Sequence, residues 1–402
     1  MAERIVLRYS DAIDPYDIAA YVRRGGFQAL SKARKMGPEK VIAEIKASNL
    51  KGRGGAGFPC GMKWGLARKQ VSREKYLICN ADEGEVGTFK DRYIIEHDPF
   101  SLLEGIAIAA YAIGAHRAYL YLRSEYHYLL DSLKKAVDRA ASQGHIDLPV
   151  EIREGAGAYV CGEESALINS IEGRRGEARF RPPFPPVSGL FGKPTVVNNV
   201  ETLMNVAPII DKGAAWFSSI GTPLSAGTKV FSVSGDVAKP GVFELPMGAR
   251  LSELMTLAGA SPIKMVQIGG AAGRVIPASL IETPLSYETV LGSGGITVLD
   301  TTRDVIDFVS RSLEFLNEES CGECTPCREG TEVMVEILGR LAAGDGVRED
   351  TERLEQLARV MMDSSLCGLG QAAPVPVLDT LTYFRSDYEN RIKQSVLLRT
   401  LR

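Results

Sequence analysis

An α/β domain on a parallel sheet, followed by a compact β-rich module and a small helical bundle, is the architecture this sequence predicts. Short buried-strand patterns alternate with helical ones through the first half of the chain. From Lys229 the texture changes to short alternating strands, and from Arg303 it becomes helical with few breakers. A chain of 402 residues also exceeds the usual single domain. The expected boundaries are 1–228, 229–302 and 303–402.

The first domain opens with a helical region over 15–50, which gives way to a glycine-rich loop at 52–57. Tyr76-Leu77-Ile78-Cys79 reads as a buried strand ending on the polar run Asn80-Ala81-Asp82-Glu83-Gly84-Glu85. A helix starts at Asp98-Pro99, since proline is tolerated in a first turn, and stops at Gly114. A strand over 118–122, a helix over 126–142 and a strand over 150–153 follow, and the last runs into Gly155-Ala156-Gly157. Such alternation indicates parallel strands with crossover helices, whose ligands sit beyond the carboxyl ends of the strands. The polar run after Cys79 and the glycines after Arg153 both fall there. Between 181 and 194 the chain is rich in proline and glycine, which predicts a rigid loop. In the second module, 230–233, 241–245 and 266–268 are expected strands and 251–257 a short helix, and the module closes near Leu299.

A hydrophobic fraction of 45% and a charged fraction of 24% are those of an ordinary globular protein. The net charge of -3 gives no polybasic footprint and argues against nucleic acid and acidic membrane surfaces. No apolar stretch approaches the roughly 20 residues of a spanning helix. Glu3, Asp11 and Asp14 break any signal-peptide pattern, so a cytoplasmic location is expected. In a reducing cytosol the seven cysteines read as ligands or thiols rather than a disulfide framework.

Cys321-Gly-Glu-Cys324-Thr-Pro-Cys327, closed by Cys367, is the strongest chemical signal. Thiolates spaced C-x2-C-x2-C converge on one cubane without strain, and a distant fourth completes a [4Fe–4S] site. Small residues and Pro326 bend the backbone so that amide N–H groups can point at sulfur. A four-cysteine zinc site normally brings its ligands as two C-x2-C pairs, and unrelated buried thiols need no spacing at all. Cys367 is expected in a helical module separate from the glycine loop.

Gly52-Arg53-Gly54-Gly55-Ala56-Gly57 contains G-x-G-x-x-G but follows a helical region rather than a clear strand, so the pattern alone is weak. Its physical content is backbone without bulk, open to a phosphate or flat ring, with positive charge expected from Arg53 and Lys63. Glu154-Gly-Ala-Gly-Ala-Tyr159-Val-Cys161-Gly162-Glu163-Glu164 leads into a helix starting near Gly162. Two carboxylates in a first turn are favourable with the helix dipole, so capping is the plainer reading and a ligand contact the functional one. His97, His116, His127 and His145 form no ligand spacing.

Taken together, these residues resemble the NADH-binding flavoprotein component of respiratory complex I, a module that also occurs in NAD-linked soluble hydrogenases and formate dehydrogenases. The marks are GRGGAGFP, NADEGE followed by Gly87-Thr88-Phe89-Lys90-Asp91-Arg92, and GAGAYVCGEESAL. PPFPPVSGLFGKPTVVNNVETL and SCGECTPCREG with SLCG complete them, in the family's order along nearly the whole chain. The resemblance implies a Rossmann-like FMN/NADH domain, a ubiquitin-like β-grasp module and a C-terminal four-helix bundle carrying the cluster. FMN would be held by Gly52, Arg53, Gly54, Gly55, Ala56 and Gly57, with Lys63, Asn80, Asp82, Tyr159, Gly162, Glu163, Asn198 and Asn199. NADH would meet Phe58, Glu85, Glu163, Glu164, Arg181 and Phe184, with Glu85 and Glu164 near the nicotinamide and no side chain acting as acid or base. Cys321, Cys324, Cys327 and Cys367 match the cluster ligands.

Several positions depart from the family pattern. Arg181 stands where many relatives carry Lys, and Leu66 where an aromatic that stacks on adenine can occur. Gly84 and Val86 replace a common Ser and Pro. The implied partners are a thioredoxin-like [2Fe–2S] subunit and a larger iron–sulfur subunit, through which any membrane contact would run. The same module could instead serve a hydrogenase, formate dehydrogenase or electron-bifurcating complex. A scaffold that keeps the cluster without flavin is the alternative from another class, and the glycine loop with Asn198-Asn199 speaks against it.

Overall fold

The computed structural model describes residues 3–11 and 14–393. Three short helices, α1 (Ile18–Arg23), α2 (Gln28–Met36) and α3 (Pro38–Ala47), lead to the glycine loop. A fourth, α4 (Cys60–Lys69), leaves it again and escapes the helix pattern of the sequence because two glycines interrupt it. Then come β1 (Tyr76–Ala81), α5 (Lys90–His97), α6 (Pro99–Ile113), β2 (Arg117–Leu122), α7 (Leu130–Ser142), β3 (Val150–Glu154) and α8 (Glu164–Ile171). The strand β4 (Thr195–Asn199) emerges from the proline-rich loop and runs into α9 (Val200–Met204), α10 (Val206–Lys212) and α11 (Ala214–Ser218).

These strands form a four-stranded sheet in the order β3-β2-β1-β4 with every neighbouring pair parallel. In the register, Asn80 faces Tyr121 on one side and Asn199 on the other, so the carboxyl ends of β2, β1 and β4 finish nearly level. Almost every side chain of α6 is buried, as expected of a helix that is apolar all round. The one carboxylate on its buried surface, Glu104, takes the hydroxyl of Tyr21 at 2.5 Å and the amides of Phe27 and Leu30 at 3.0 Å each. A single acidic side chain therefore fastens the opening helices to the sheet layer.

The second unit is a five-stranded sheet of β5 (Thr228–Gly235), β6 (Gly241–Pro246), β7 (Met265–Ile268), β8 (Arg274–Pro277) and β9 (Gly295–Leu299), with α12 (Leu251–Ala258). Its order is β6-β5-β9-β7-β8, with β5 and β9 parallel and the other pairs antiparallel. The third unit is helical: α13 (Val305–Glu318), α14 (Thr325–Ala342), α15 (Asp350–Ser364), α16 (Gly368–Ala372), α17 (Val375–Tyr383) and α18 (Arg385–Glu389). Its core is separate from that of the sheet units, with Leu313, Met334, Leu338, Leu354, Met361 and Val377 at its centre.

Buried charge joins the first two units. The Lys229 ammonium on β5 reaches the Glu201 carboxylate at the start of α9 at 2.5 Å, with neither side chain exposed. Glu201 also accepts the Val230 amide at 2.8 Å and lies 3.1 Å from Lys90. Lys90 in turn contacts Asp91 at 2.7 Å. Burial of Glu201 is outweighed by Lys229 and Lys90, so its carboxyl stays below the ordinary range. Removing this carboxylate leaves two buried ammonium groups short of a counter-charge. Glu201→Ala is therefore expected to lose about 3–5 kcal/mol of stability, read from urea unfolding followed by circular dichroism.

Candidate functional site

A cleft enclosing about 990 Å³, part of it open to solvent, lies beyond the carboxyl ends of β1 and β4. Asn80 and Asp82 enter it from the end of β1, and Asn199 from the end of β4. Gly54 and Ala56 bring the glycine loop to one wall, and a Cβ at Gly54 would stand 3.1 Å from that of Asn199. Tyr159, Gly162 and Glu163 line it from the approach to α8. The Asn80 amide donates to the Gly162 carbonyl at 2.9 Å, which joins the β1 end to that approach.

Acidic groups dominate this wall. Asp82 Oδ2 is buried without a hydrogen-bond partner, and burial pushes its carboxyl up to about 7 against the pull of Arg123. Glu85 accepts the Tyr159 hydroxyl at 2.7 Å and the Ala271 amide of the second unit at 2.7 Å, and burial raises it to about 7 as well. At Gly270 the backbone passes so close that a Cβ would fall 2.0 Å from Glu85 Cγ, at a φ of +81° that favours glycine. Glu83, part of the same polar run but outside the expected ligand set, takes the Asp91 and Arg92 amides at 2.8 and 3.0 Å, and burial raises it to about 7.

Around the outer rim, Lys63 bonds Glu164 at 2.9 Å and Arg181 bonds Glu163 at 2.8 Å, with a longer Arg181–Glu164 contact of 3.6 Å. The Glu163 carboxylate caps α8 by accepting the Ser165 and Ala166 amides, so the capping task falls to Glu163 and leaves Glu164 free for the rim. Phe58 and Phe184 are both exposed there, with Lys63 5.8 Å from one ring and Arg181 5.9 Å from the other. Leu66 is exposed on α4.

Several expected flavin-site residues do not line the cleft, Lys63 among them, which donates to Glu164 and the Val197 carbonyl. Arg53 is wholly buried, and its guanidinium donates to the carbonyls of Thr228, Lys51 and Ala226 instead of adding charge to the cleft. Asn198 points to the opposite face of β4 from Asn199 and accepts the Trp64 indole N–H at 2.8 Å. Gly52, Gly55 and Gly57 shape the loop without lining the cleft. The structure also adds Thr88, Lys90 and Asp91, whose signal was the Gly87–Arg92 run, and Ser293, which nothing in the sequence marked.

Cys321, Cys324, Cys327 and Cys367 line a second, smaller pocket, part of it open to solvent, with Val160, Ala178 and Leu369. The Leu366 amide donates to Cys324 Sγ at 3.5 Å, and the amides of Leu369 and Gly370 act on Cys367. Four thiols converging on one apolar, amide-lined space suit an iron–sulfur cluster. Cys367 is not remote from the glycine loop: with Val160 and Leu369 it lines both the thiol cavity and the cleft. The unpartnered Asp82 oxygen and the bare Gly54 backbone are, in the same way, features that a flat, hydrogen-bonding flavin would use.

Residues 45–208 match the family described as the Nuo51 FMN-binding domain, 230–264 an SLBB domain, and 307–391 the NADH-ubiquinone oxidoreductase-F iron-sulfur binding region. The second F-type subunit of the NADH-quinone oxidoreductase of Rhizobium meliloti is 42% identical over 98% of this chain and 99% of its own. The NADP-reducing hydrogenase subunit HndC of Solidesulfovibrio fructosivorans is 43% identical over 97% of this chain and 83% of its own. A crystal structure of an NAD+-reducing [NiFe]-hydrogenase in the H2-reduced state superimposes with a TM-score of 0.90 at 42% identity, covering 97% of this chain and 67% of that one.

The raised carboxyls make stability depend on pH. Asp82, Glu83 and Glu85 bind protons in the folded state up to about pH 7, whereas unfolded carboxyls release them near 4. The folded chain thus holds more protons across that window, and this contribution falls as pH rises through it. Asp82→Asn removes an unpartnered buried charge, so it is expected to flatten the fall and gain about 1–3 kcal/mol at about pH 8. Urea midpoints of cofactor-free wild type and variant, compared at about pH 5.5 and 8, measure both effects.

Proposed function

Because the chain belongs to the family of NADH-binding flavoprotein subunits that includes the F-type subunits of NADH-quinone oxidoreductase, we propose that it takes a hydride from NADH at bound FMN and passes electrons to a [4Fe–4S] cluster. Bound FMN supplies the change from a two-electron donor to a one-electron acceptor. The observation that carries the reading is the shared wall: Val160, Cys367 and Leu369 line both the cleft and the thiol cavity. A redox group in each would be separated by little more than one layer of side chains.

The chain's own residues bind, orient and shield. Asp82, Tyr159 and Cys367, which lie beside the thiol pocket, would hold the flavin ring, and Gly54, Lys90 and Asn199 would hold its phosphate. Asp82 and Asn80 are placed to hold the ring's polar edge, and the exposed Phe58 and Phe184 with Glu85, Glu164 and Arg181 to receive NADH. No proton transfer by a side chain is needed. The ion-paired rim orients the dinucleotide and the apolar wall excludes water from the transfer path.

The order of the middle sheet, with parallel β5 and β9 side by side and α12 packed on it, supports a β-grasp module. The successive packing of α13 on α14, α14 on α15, α15 on α17 and α17 on α13 supports a four-helix bundle. A thioredoxin-like [2Fe–2S] subunit and a larger iron–sulfur subunit are the proposed partners, on the cytoplasmic side of the membrane. No helix among the described residues is long and apolar enough to cross it. The hydrogenase-type assembly is the second reading, favoured by the superposition on an NAD+-reducing [NiFe]-hydrogenase. Affinity purification with mass spectrometry separates the two, since one predicts co-purifying quinone-reductase subunits and the other hydrogenase subunits.

Acid extraction of the purified chain is expected to release one FMN and no FAD. Cys324 does not line the cleft, so Cys324→Ser should abolish the native [4Fe–4S] EPR signal with FMN content unchanged, whereas Cys367→Ser should disturb both. For Glu164→Gln, loss of the carboxylate releases Lys63 from its ion pair and removes the longer contact to Arg181, which stays paired with Glu163, so one cation becomes available to the dinucleotide. Inhibition by NAD should tighten about threefold to tenfold, up to roughly 1.4 kcal/mol. Reduction by dithionite should not change. Anaerobic NADH–ferricyanide kinetics at matched FMN content give the result.

A further inference from the structure

The glycine loop is held from outside its own domain. Tyr287, on the loop between β8 and β9, donates its hydroxyl to the Gly52 carbonyl. Its ring closes against the loop: at Gly57, with φ +65°, a Cβ would fall 2.7 Å from Tyr287 Cε1. The Lys51 ammonium stands 5.4 Å from the centre of the same ring, as a cation over its face. A few residues further on, Ser293 faces the loop at Gly55, and its hydroxyl pairs with that of Thr88 at 3.0 Å. Ser293 also lines the cleft, together with Gly54, Lys90 and Asn199.

We infer that the second unit completes the flavin site, with Ser293 as a hydrogen-bonding contact for the phosphate end of FMN and Tyr287 as the positioning residue that sets the glycine loop. The inference rests on the functional reading above, which places the ring beside Cys367 and the phosphate by Lys90 and Asn199. There Gly54 of the bare loop, the hydroxyls of Thr88 and Ser293, Asn199 and the Lys90 ammonium line the cleft, with Lys90 balanced by Asp91. That donor set suits a phosphomonoester. The Thr88–Ser293 pair leaves at least one hydroxyl proton free to turn towards an anion, because each hydroxyl can both donate and accept. Tyr287 acts one step away: its bond to Gly52 fixes where the amides of the loop point.

The test uses the full-length chain with its cluster in place, depleted of flavin and titrated anaerobically with FMN and, separately, with riboflavin, which lacks the phosphate. For Ser293→Ala, the FMN dissociation constant should rise about tenfold, the loss of one hydrogen bond to a charged group, while that for riboflavin stays within about twofold. Ser293→Thr, which keeps the hydroxyl, should restore FMN binding. Tyr287→Phe should weaken FMN by a similar factor while leaving the cluster EPR signal unaltered. The inference is overturned if Ser293→Ala binds FMN as wild type does. It is equally overturned if both variants lose FMN and riboflavin in the same proportion alongside a lowered unfolding midpoint, which would mark a purely structural seam. A folded wild-type chain that binds neither flavin would instead refute the flavin reading itself.

Discussion

The arrangement of the cleft depends on a salt bridge that water does not reach. Lys229 and Glu201 are both fully buried, and they join the first strand of the second unit to the helix that follows β4 in the first. Taking both charges out of water costs several kcal/mol per ion before their attraction is counted. Extra bonds offset part of it, with Val230 donating to the same carboxylate and Lys90 and Asp91 extending the network, while burial still pushes the Lys229 amine down to about 7. The same seam brings the Ala271 amide to Glu85 and the Tyr287 hydroxyl to the Gly52 carbonyl.

With the second unit so placed, the remaining geometry concerns the wall between two cavities. Val160 comes from the approach to α8, and Cys367 and Leu369 from the helical unit, so the wall itself is a contact between units. Tyr159 strengthens it: its ring meets Phe315 edge-on at 5.4 Å, its amide donates to Glu319 at 2.9 Å, and its hydroxyl binds Glu85. Through Glu85, which holds the Ala271 amide, this tyrosine links all three units around the place where electrons must cross. Packing that is thin and apolar keeps water out and the distance constant, and electron transfer depends on both.

The cleft is an acidic place. Its carboxyls are raised by burial, so near neutral pH they are poised between charge states. Negative charge there would disfavour an electron-rich flavin, and protonation would relieve it, so these carboxyls set the electrostatics of the cleft. The rim behaves differently. Lys63, Glu164, Arg181 and Glu163 form an alternating chain of charge on partly exposed side chains, which a phosphate-bearing ligand can re-pair at little cost.

Much of this was legible in the residues alone. A thiol triplet with a distant fourth, β-rich and helical textures in succession, and polar runs at strand ends are local patterns, and local patterns survive without knowledge of the fold. The orientation of individual side chains was not legible. Asn198 and Asn199 look equivalent in sequence, yet they occupy successive positions of β4 and so face opposite sides of the sheet. That strand was hidden at the end of a proline-rich loop, so the alternation had nothing to act on. Arg53 beside the glycines reads as a phosphate ligand until Thr228 and Ala226, over 170 positions away, offer it carbonyls. Cys367 proves to border the flavin cleft, and Ser293 and Tyr287 reach the glycine loop, for the same reason. Sequence determines which groups exist and what each can bond, but which of them meet across units is decided by how three separate cores pack, and that information lies in no local stretch of the chain.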